Sequence, residues 1–432
     1  MILFGLSFLE FSFIALSGLS ISIFNSLIWG YGFSGVSRYF FMAQWIVPFT
    51  FFALFVLKKR RTFKLLKYKL QTLAEALFIL YILLSLTLGH IHTINFAGSF
   101  NYYLGDLMRW VLMYFGYIYA VRYVDDVKKF INVSKVLVFS LTISVMVGFI
   151  LHIIQIAFQL PFIRYGHLSV IPITFSLVHL IFLRRSDGVM SFMLAIAFHF
   201  LLVLDLLTSL SRVTILLYTG SILGIFLFGG ARIRTNLLTV LAALGSVGYV
   251  VALNIGLDFA ILEQSFDRIK SALDFWNDYS IEGKTDEVGS VLQFASNNFS
   301  ALVFGHGFGS VYEIPLEIQA QYNNEKTLHH IHFTPVNILF RVGGVNVLLF
   351  ICFCLSASFL VIKNLKKSIK LDNLKKQREF IVHGNSLGIA FGLILLKSFS
   401  IFNVGGFMFG LLFGLILVFD RLLKQVIRDP QC

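Results

Sequence analysis

The chain has 432 residues, 57% of them hydrophobic and 13% charged, with 49 phenylalanines and a formal net charge of +13. A soluble domain carries about 25% charged residues, so the composition excludes an ordinary water-soluble domain and leaves an all-α polytopic membrane protein. The basic surplus lies beside apolar runs, where it meets anionic lipid headgroups and not nucleic acid.

Apolar runs predict twelve transmembrane segments, at 3–28, 39–57, 70–90, 104–121, 136–158, 168–183, 189–208, 213–230, 236–257, 343–362, 381–399 and 404–420. The first has no Lys or Arg before Arg38 and no small-residue cleavage site, so it is expected to be a retained helix and not a signal peptide. Placing both termini inside puts 25 of the 35 basic residues on inner segments. Examples are Lys58 to Lys69, Arg184 with Arg185, and Lys363 to Arg378. Each segment that follows an even-numbered helix is basic, as the positive-inside rule requires. The chain therefore divides into helices one to nine (1–257), a large outer loop (258–332), and helices ten to twelve with an inner tail (333–432). Cys352 and Cys354 fall inside a predicted helix and Cys432 ends the chain, so no disulfide framework is expected. No internal repeat of the kind that builds inverted-repeat transporters is present.

The outer loop holds four basic residues against eleven acidic ones, a net charge of −7. Leu262, Phe266, Ile269, Leu273 and Trp276 recur at helical spacing, which predicts an amphipathic helix lying on the membrane or on the bundle. A second helix is predicted over 289–299. Gly305-His306-Gly307-Phe308-Gly309-Ser310 follows as a tight turn. Its amides could face a diphosphate, but with no βαβ unit around it a structural turn is the favoured reading.

Candidate chemistry collects on the outer side. Ser211-Arg212 lies where helix seven ends and helix eight begins, and a guanidinium there can fork onto a phosphate. A snorkelling interfacial arginine is the plainer reading of the same residue. Arg268 sits on the amphipathic helix beside Asp267 and Lys270, where a solvated surface residue is by itself the favoured reading. His329, His330 and His332 crowd the point where the loop runs back into a helix, a position where titratable groups are expensive. No helical histidine pair with glutamate accompanies them, so a general base is the more economical reading and a metal the minority one. Asp106 and Arg109, spaced i, i+3, can pair structurally. Arg341, just before Gly343-Gly344, needs a partner at the membrane edge, and a lipid diphosphate would serve. Further polar groups near outer helix ends are His90, His92, Arg164 and His167.

Together these features resemble the O-antigen ligase/polymerase superfamily of envelope glycosyltransferases. Ser211-Arg212 is similar to the family's Ser-Arg motif, and Gly305, Gly307 and Gly309 to the glycine turn of its large periplasmic loop. His332 followed by Val336, Leu339 and Gly343 is similar to a His-Asn-x-x-Leu pattern that enters the next helix and ends in Gly-x-x-Gly. The chain departs from that pattern at Phe333, where the family has Asn, at Val336, where it has Leu, and at Asn346, where it has Gly. These departures tilt the resemblance towards the more divergent Wzy-type polymerases.

The resemblance implies a GT-C-like fold and a metal-independent, cofactor-free, inverting transfer on the periplasmic face of the bacterial inner membrane. It implies that a growing glycan leaves undecaprenyl diphosphate and joins a sugar hydroxyl of the next undecaprenyl-diphosphate-linked repeat unit. By that resemblance Arg212 and Arg268 hold the diphosphate and His332 activates the acceptor hydroxyl, with Arg341 and His330 as further candidates. Expected partners are the lipid-linked oligosaccharide, membrane lipid and a protein that regulates chain length. A ligase, with lipid A-core as acceptor, and a protein O-glycosyltransferase share the donor chemistry. A flippase for lipid-linked sugars is the alternative of another class, but it calls for polar groups deep in several helices. Few charges, Glu75, Asp205 and Lys397 among them, fall within predicted spans here.

Overall fold

Runs of apolar residues with few breakers become helices. A computed structural model describes residues 14, 46, 49–50, 52–57, 70–91, 100–157, 170–182, 189–208, 212–228, 231–255, 279–296, 299–313, 327–329, 331, 333–369, 377–398 and 406–428. Among them the order is α1 (Leu73–Ile91), α2 (Phe100–Tyr123), α3 (Val127–Ala157), α4 (Val170–Phe182), α5 (Val189–Thr208), α6 (Arg212–Phe228) and α7 (Ala231–Ile255). The chain continues with α8 (Tyr279–Ser296), α9 (Phe299–Phe304), β1 (Tyr312–Glu313), β2 (Thr327–Leu328), α10 (Thr334–Val342), α11 (Gly344–Ile369), α12 (Arg378–Ser398) and α13 (Gly406–Arg428).

Each predicted apolar segment from the third onward falls on one of these helices, and 52–57 of the second is helical too. Six helices among the described residues, α1, α3, α7, α11, α12 and α13, are long and apolar enough to cross a membrane. Shorter apolar helices run over Ile171–Ile181, Phe192–Leu204 and Ile215–Leu227. The protein is an α-helical, multi-pass membrane protein.

Glycine spacing sets the centre of the bundle. Gly406, Gly410 and Gly414 recur every fourth residue along one face of α13, the small-xxx-small pattern that lets membrane helices approach backbone to backbone. That face lies on α2. A Cβ at Gly410 would stand 1.8 Å from the Met113 carbonyl oxygen, one at Gly406 2.0 Å from that of Arg109, and one at Gly116 2.2 Å from that of Phe407. Among the described residues α13 is therefore the central helix, with 94% of its span buried within the protein. Phe78, Tyr117, Phe353, Phe391 and Phe413 interlock around it, with Phe78 and Phe413 4.6 Å apart between ring centroids. A second apolar cluster joins α3 to α7 through Val145, Leu177, Leu206, Tyr218 and Leu237. Inside it His199 Nε2 and the Tyr218 hydroxyl lie 2.8 Å apart, each supplying the buried polar atom the other needs.

The bundle has two chemically different ends. At one, Lys135 pairs with Glu379 at 2.6 Å, Lys367 approaches Asp420 at 3.9 Å, and Arg421 donates to the Val124 carbonyl at 2.6 Å. These ends of α2, α3, α11, α12 and α13 are the ones the charge alternation groups together as inner. At the other end the C-terminal end of α1 and the N-terminal end of α2 meet α9, α10 and the two-stranded ribbon. Glu75 is not a midspan charge: it lies in the first turn of α1, accepts from the Gln71 amide at 2.7 Å and receives the Tyr117 hydroxyl at 2.6 Å.

Candidate functional site

The glycine turn fixes the geometry of this second end of the bundle. Gly305, Gly307 and Gly309 all have positive φ, at 84°, 87° and 77°, a conformation that costs a side chain dearly and glycine little. The turn presents its amides to the protein. Gly305 donates to Ala301, His306 to Phe340, Gly307 to Arg341 and Phe308 to Gly89, at 2.7 to 3.0 Å. The Gly309 amide donates to Asp106 Oδ2 at 2.9 Å. All five amides have acceptors within the chain, so the turn is the structural device that the sequence favoured, and these donors do not face a diphosphate.

Two close approaches lock it in place. The Phe308 ring lies where a Cβ on Gly89 would stand, 2.4 Å away, so α1 needs glycine there. Gly343, at φ 83°, breaks α10 from α11, and a Cβ on it would meet the Val303 carbonyl oxygen at 2.1 Å. Helix ten, expected to start near 343, is thus preceded by a separate short helix. Pro335 stands in the first turn of α10, where its missing N–H costs nothing, and the Gly343 amide closes the last turn on Leu339.

Between turn and helix sits a buried ionic node. Arg341 Nε lies 3.2 Å from Asp106 Oδ2, with side chains 4% and 8% exposed. Arg341 Nη1 donates to the Ser310 carbonyl at 2.5 Å, and Nη2 donates to the His329 carbonyl. His329 Nε2 faces Asp106 Oδ1 at 3.5 Å, while Arg341 Nη2 reaches His329 Nδ1 at 2.8 Å. His329 Nδ1 also lies 3.1 Å from the Ser310 carbonyl, so the ring is held between the Arg341 guanidinium, that carbonyl and Asp106. Burial, and then the neighbouring Arg341 charge, push His329 below the ordinary histidine value. Tyr102 covers the ring face to face, centroids 4.1 Å apart and planes within 4°. The Asn337 side chain donates to the Ile331 carbonyl at 3.0 Å, and Ile331 is buried against Val291, Tyr312, Val336 and Phe340.

No family model and no curated protein matches the chain. The site rests on its own geometry.

The predicted site residues are placed unequally. Arg212 opens α6 four residues after α5 ends at Thr208, the boundary the sequence expected, and its side chain lies outside the described residues. Arg268, His330 and His332 lie outside the described residues, as do the predicted amphipathic helix 262–276 and His92, Arg164 and His167. The residues that flank His330 and His332 are described: His329 and Ile331 are held as above, and Thr334 begins α10. The second loop helix begins earlier than expected, at Tyr279. Arg341 finds its partners inside the protein, at Asp106 and two carbonyls, where the sequence reading had offered a lipid diphosphate. Asp106 likewise takes Arg341 and His329, with Arg109 one turn along α2 adding to the positive field around it. His90 Nδ1 and the Tyr103 hydroxyl lie 2.8 Å apart at the same mouth.

Sequence reasoning missed the Asp106–Arg341–His329 node, although it left a signal. Asp106 and Arg341 were both placed at outer helix ends, and opposite charges at one membrane depth seek each other. It also missed the ribbon, in which Tyr312 pairs with Leu328 and Glu313 with Thr327; two residues per strand are too few to show a period.

Proposed function

We propose that the protein is a polymerase of lipid-linked surface polysaccharide, a twelve-span, GT-C-like glycosyltransferase of the bacterial inner membrane with both termini cytoplasmic. In this reading it transfers the growing glycan from undecaprenyl diphosphate to a sugar hydroxyl of the next lipid-linked repeat unit. The acceptor oxygen bonds to the anomeric carbon, the bond from that carbon to the diphosphate oxygen breaks, and the acceptor proton passes to His332. Arg212 and Arg268 stabilise the charge that grows on the leaving diphosphate, a task suited to fixed cations in a partly dry cleft. Inversion follows from a single displacement, and no cofactor enters the step.

The observation that carries this reading is the clamp on the histidine stretch. A general base must be held within about 3 Å of the hydroxyl it serves. On one side of His330 and His332 the chain is tied at His329 to Arg341 and Asp106, and on the other α10 begins with a buried Thr334. The polar groups at this mouth, His90, Tyr103, Asp106, His329 and Arg341, all come from one end of the bundle, which favours chemistry at a membrane face over passage through the midplane.

The test is the lipopolysaccharide ladder of a deletion strain complemented with the wild type or with His332→Ala, after both proteins are confirmed in the membrane. The expected result is a core bearing a single repeat unit in the variant and a full ladder in the wild type. Loss of the single-unit band as well would redirect the assignment to a ligase or a flippase. A full ladder in the variant would remove His332 from the mechanism.

A further inference from the structure

The end of the bundle opposite the glycine turn contains a hollow that none of the chemistry above uses. It is about 940 Å³ in volume and lies where the α2–α3 corner, the first turn of α12 and the last turns of α13 meet. Ile131, Leu422 and Val426 give it an apolar wall. Leu422 and Val426 belong to the buried face of α13, and Arg421 stiffens that wall by donating to the Val124 and Val121 carbonyls across the corner.

Its charges are balanced. Lys128, Lys135 and Arg428 line it together with Asp125, Asp126 and Glu379. An anion entering the hollow meets three carboxylates, and a cation meets three basic groups. A small group that carries both charges finds partners for each. Asp126 is fixed, since its Oδ1 accepts the Lys129 amide at 2.7 Å at the start of α3. Lys135 and Glu379 are joined at 2.6 Å. The hollow also sits at the depth where the apolar spans α12 and α13 pass into charged ends, the level of lipid headgroups.

We infer that this hollow is a binding site for a zwitterionic phospholipid headgroup with a primary ammonium, of the phosphatidylethanolamine type. The phosphodiester lies towards Lys128 and Arg428, the ammonium towards the carboxylates, and the start of an acyl chain along the Ile131, Leu422 and Val426 wall. A primary ammonium has N–H groups to donate to carboxylates; a quaternary choline has none. An anionic headgroup gains on the basic side and loses as much on the acidic one. The site is independent of the glycan chemistry at the other end of the bundle.

Native mass spectrometry of the full-length protein, exchanged into mixed micelles with equimolar phosphatidylethanolamine, phosphatidylglycerol and phosphatidylcholine, reads the preference directly. The wild type is expected to retain phosphatidylethanolamine at least threefold over either of the others. Lys128→Ala with Arg428→Ala should reduce retention of that lipid about tenfold, and Asp126→Asn, which keeps an oxygen to cap α3, should bring it down to the phosphatidylcholine level. Unfolding temperatures of the lipid-free variants within a few degrees of wild type show that the fold survives. Preferential retention of phosphatidylglycerol by the wild type would overturn the inference in favour of an anionic-lipid site. Equal retention of all three lipids, or wild-type retention by the variants, would overturn it by showing only unspecific annular contact or occupation by the chain's own C-terminal residues.

Discussion

Removing the Asp106 carboxylate leaves Arg341 as an uncompensated cation in a buried setting. Breaking a buried pair in this way costs about 3–5 kcal/mol, and both side chains here are at most 8% exposed. The same carboxylate holds the Gly309 amide and faces His329, so the loss falls on the loop as a unit. Asp106→Asn is expected to speed amide exchange over 305–309 and 327–331 by at least tenfold and to lower glycan transfer, while α12 and α13 exchange as in wild type. Unchanged loop exchange would show that something other than this node anchors the outer loop. The node also has a pH limit. The groups that face His329 are Asp106 from α2, Arg341 from α10, the Ser310 carbonyl and the Tyr102 ring. Its folded value is lowered, so below the ordinary histidine range of about 6.5 the unfolded loop binds a proton that the folded loop resists. Anchoring is therefore complete above that range and weakens as the pH falls through it. Loop exchange measured from pH 7.5 to 5 should rise on the acid side in the wild type, and His329→Gln should flatten that dependence. An equal rise in both proteins would assign it to another group.

Helix packing rests on glycine where backbones touch and tolerates change where they do not. Gly410→Ala sets a methyl group against the Met113 carbonyl, where a Cβ would stand 1.8 Å away with only backbone to yield. The helices must part, at a cost of about 1–3 kcal/mol or more for overpacking of this kind, and the unfolding temperature in detergent should fall. Gly392→Ala is the matched control: nothing lies within 4 Å of its Cβ, and replacing a helical glycine gains about 0.5–1 kcal/mol. A fall of similar size in both variants would show that backbone contact between α2 and α13 is not what holds the centre. The spacing of Gly406, Gly410 and Gly414 went unused in the sequence reading, whereas length and hydropathy placed α13 correctly as an apolar helix. Its central position was not legible, because hydropathy reports how apolar a helix is and not whether lipid or protein surrounds it. The glycine turn was read as structural because no βαβ unit surrounds it, and its amides do find acceptors within the chain. Its acceptors, Gly89, Asp106, Phe340 and Arg341, come from three helices distant in the chain, and single-sequence periodicity carries no such pairing.

At the scale of the whole molecule, the arrangement of ends and the orientation in the membrane are separate matters. The basic ends of α3, α11, α12 and α13 gather on one side and the loop elements on the other, as the alternation of Lys and Arg had required. The charge pattern could order the ends because each loop carries its own bias, whereas the site needed contacts between loops. Which side faces the cytoplasm follows from the positive-inside rule alone, and labelling can decide it. Thr327 and Lys366 are both exposed and stand at opposite ends of α11, one in the ribbon and one in its basic last turn. In a cysteine-less background expressed in spheroplasts, a membrane-impermeant maleimide should modify Thr327→Cys at once and Lys366→Cys only after permeabilisation. The reverse order would put the histidine stretch on the cytoplasmic side, among nucleotide-activated sugars instead of lipid-linked ones, and the polymerase reading would fall. Labelling of both from one side would mean that α11 does not cross the bilayer, and the helix count would have to be redrawn from that point onward.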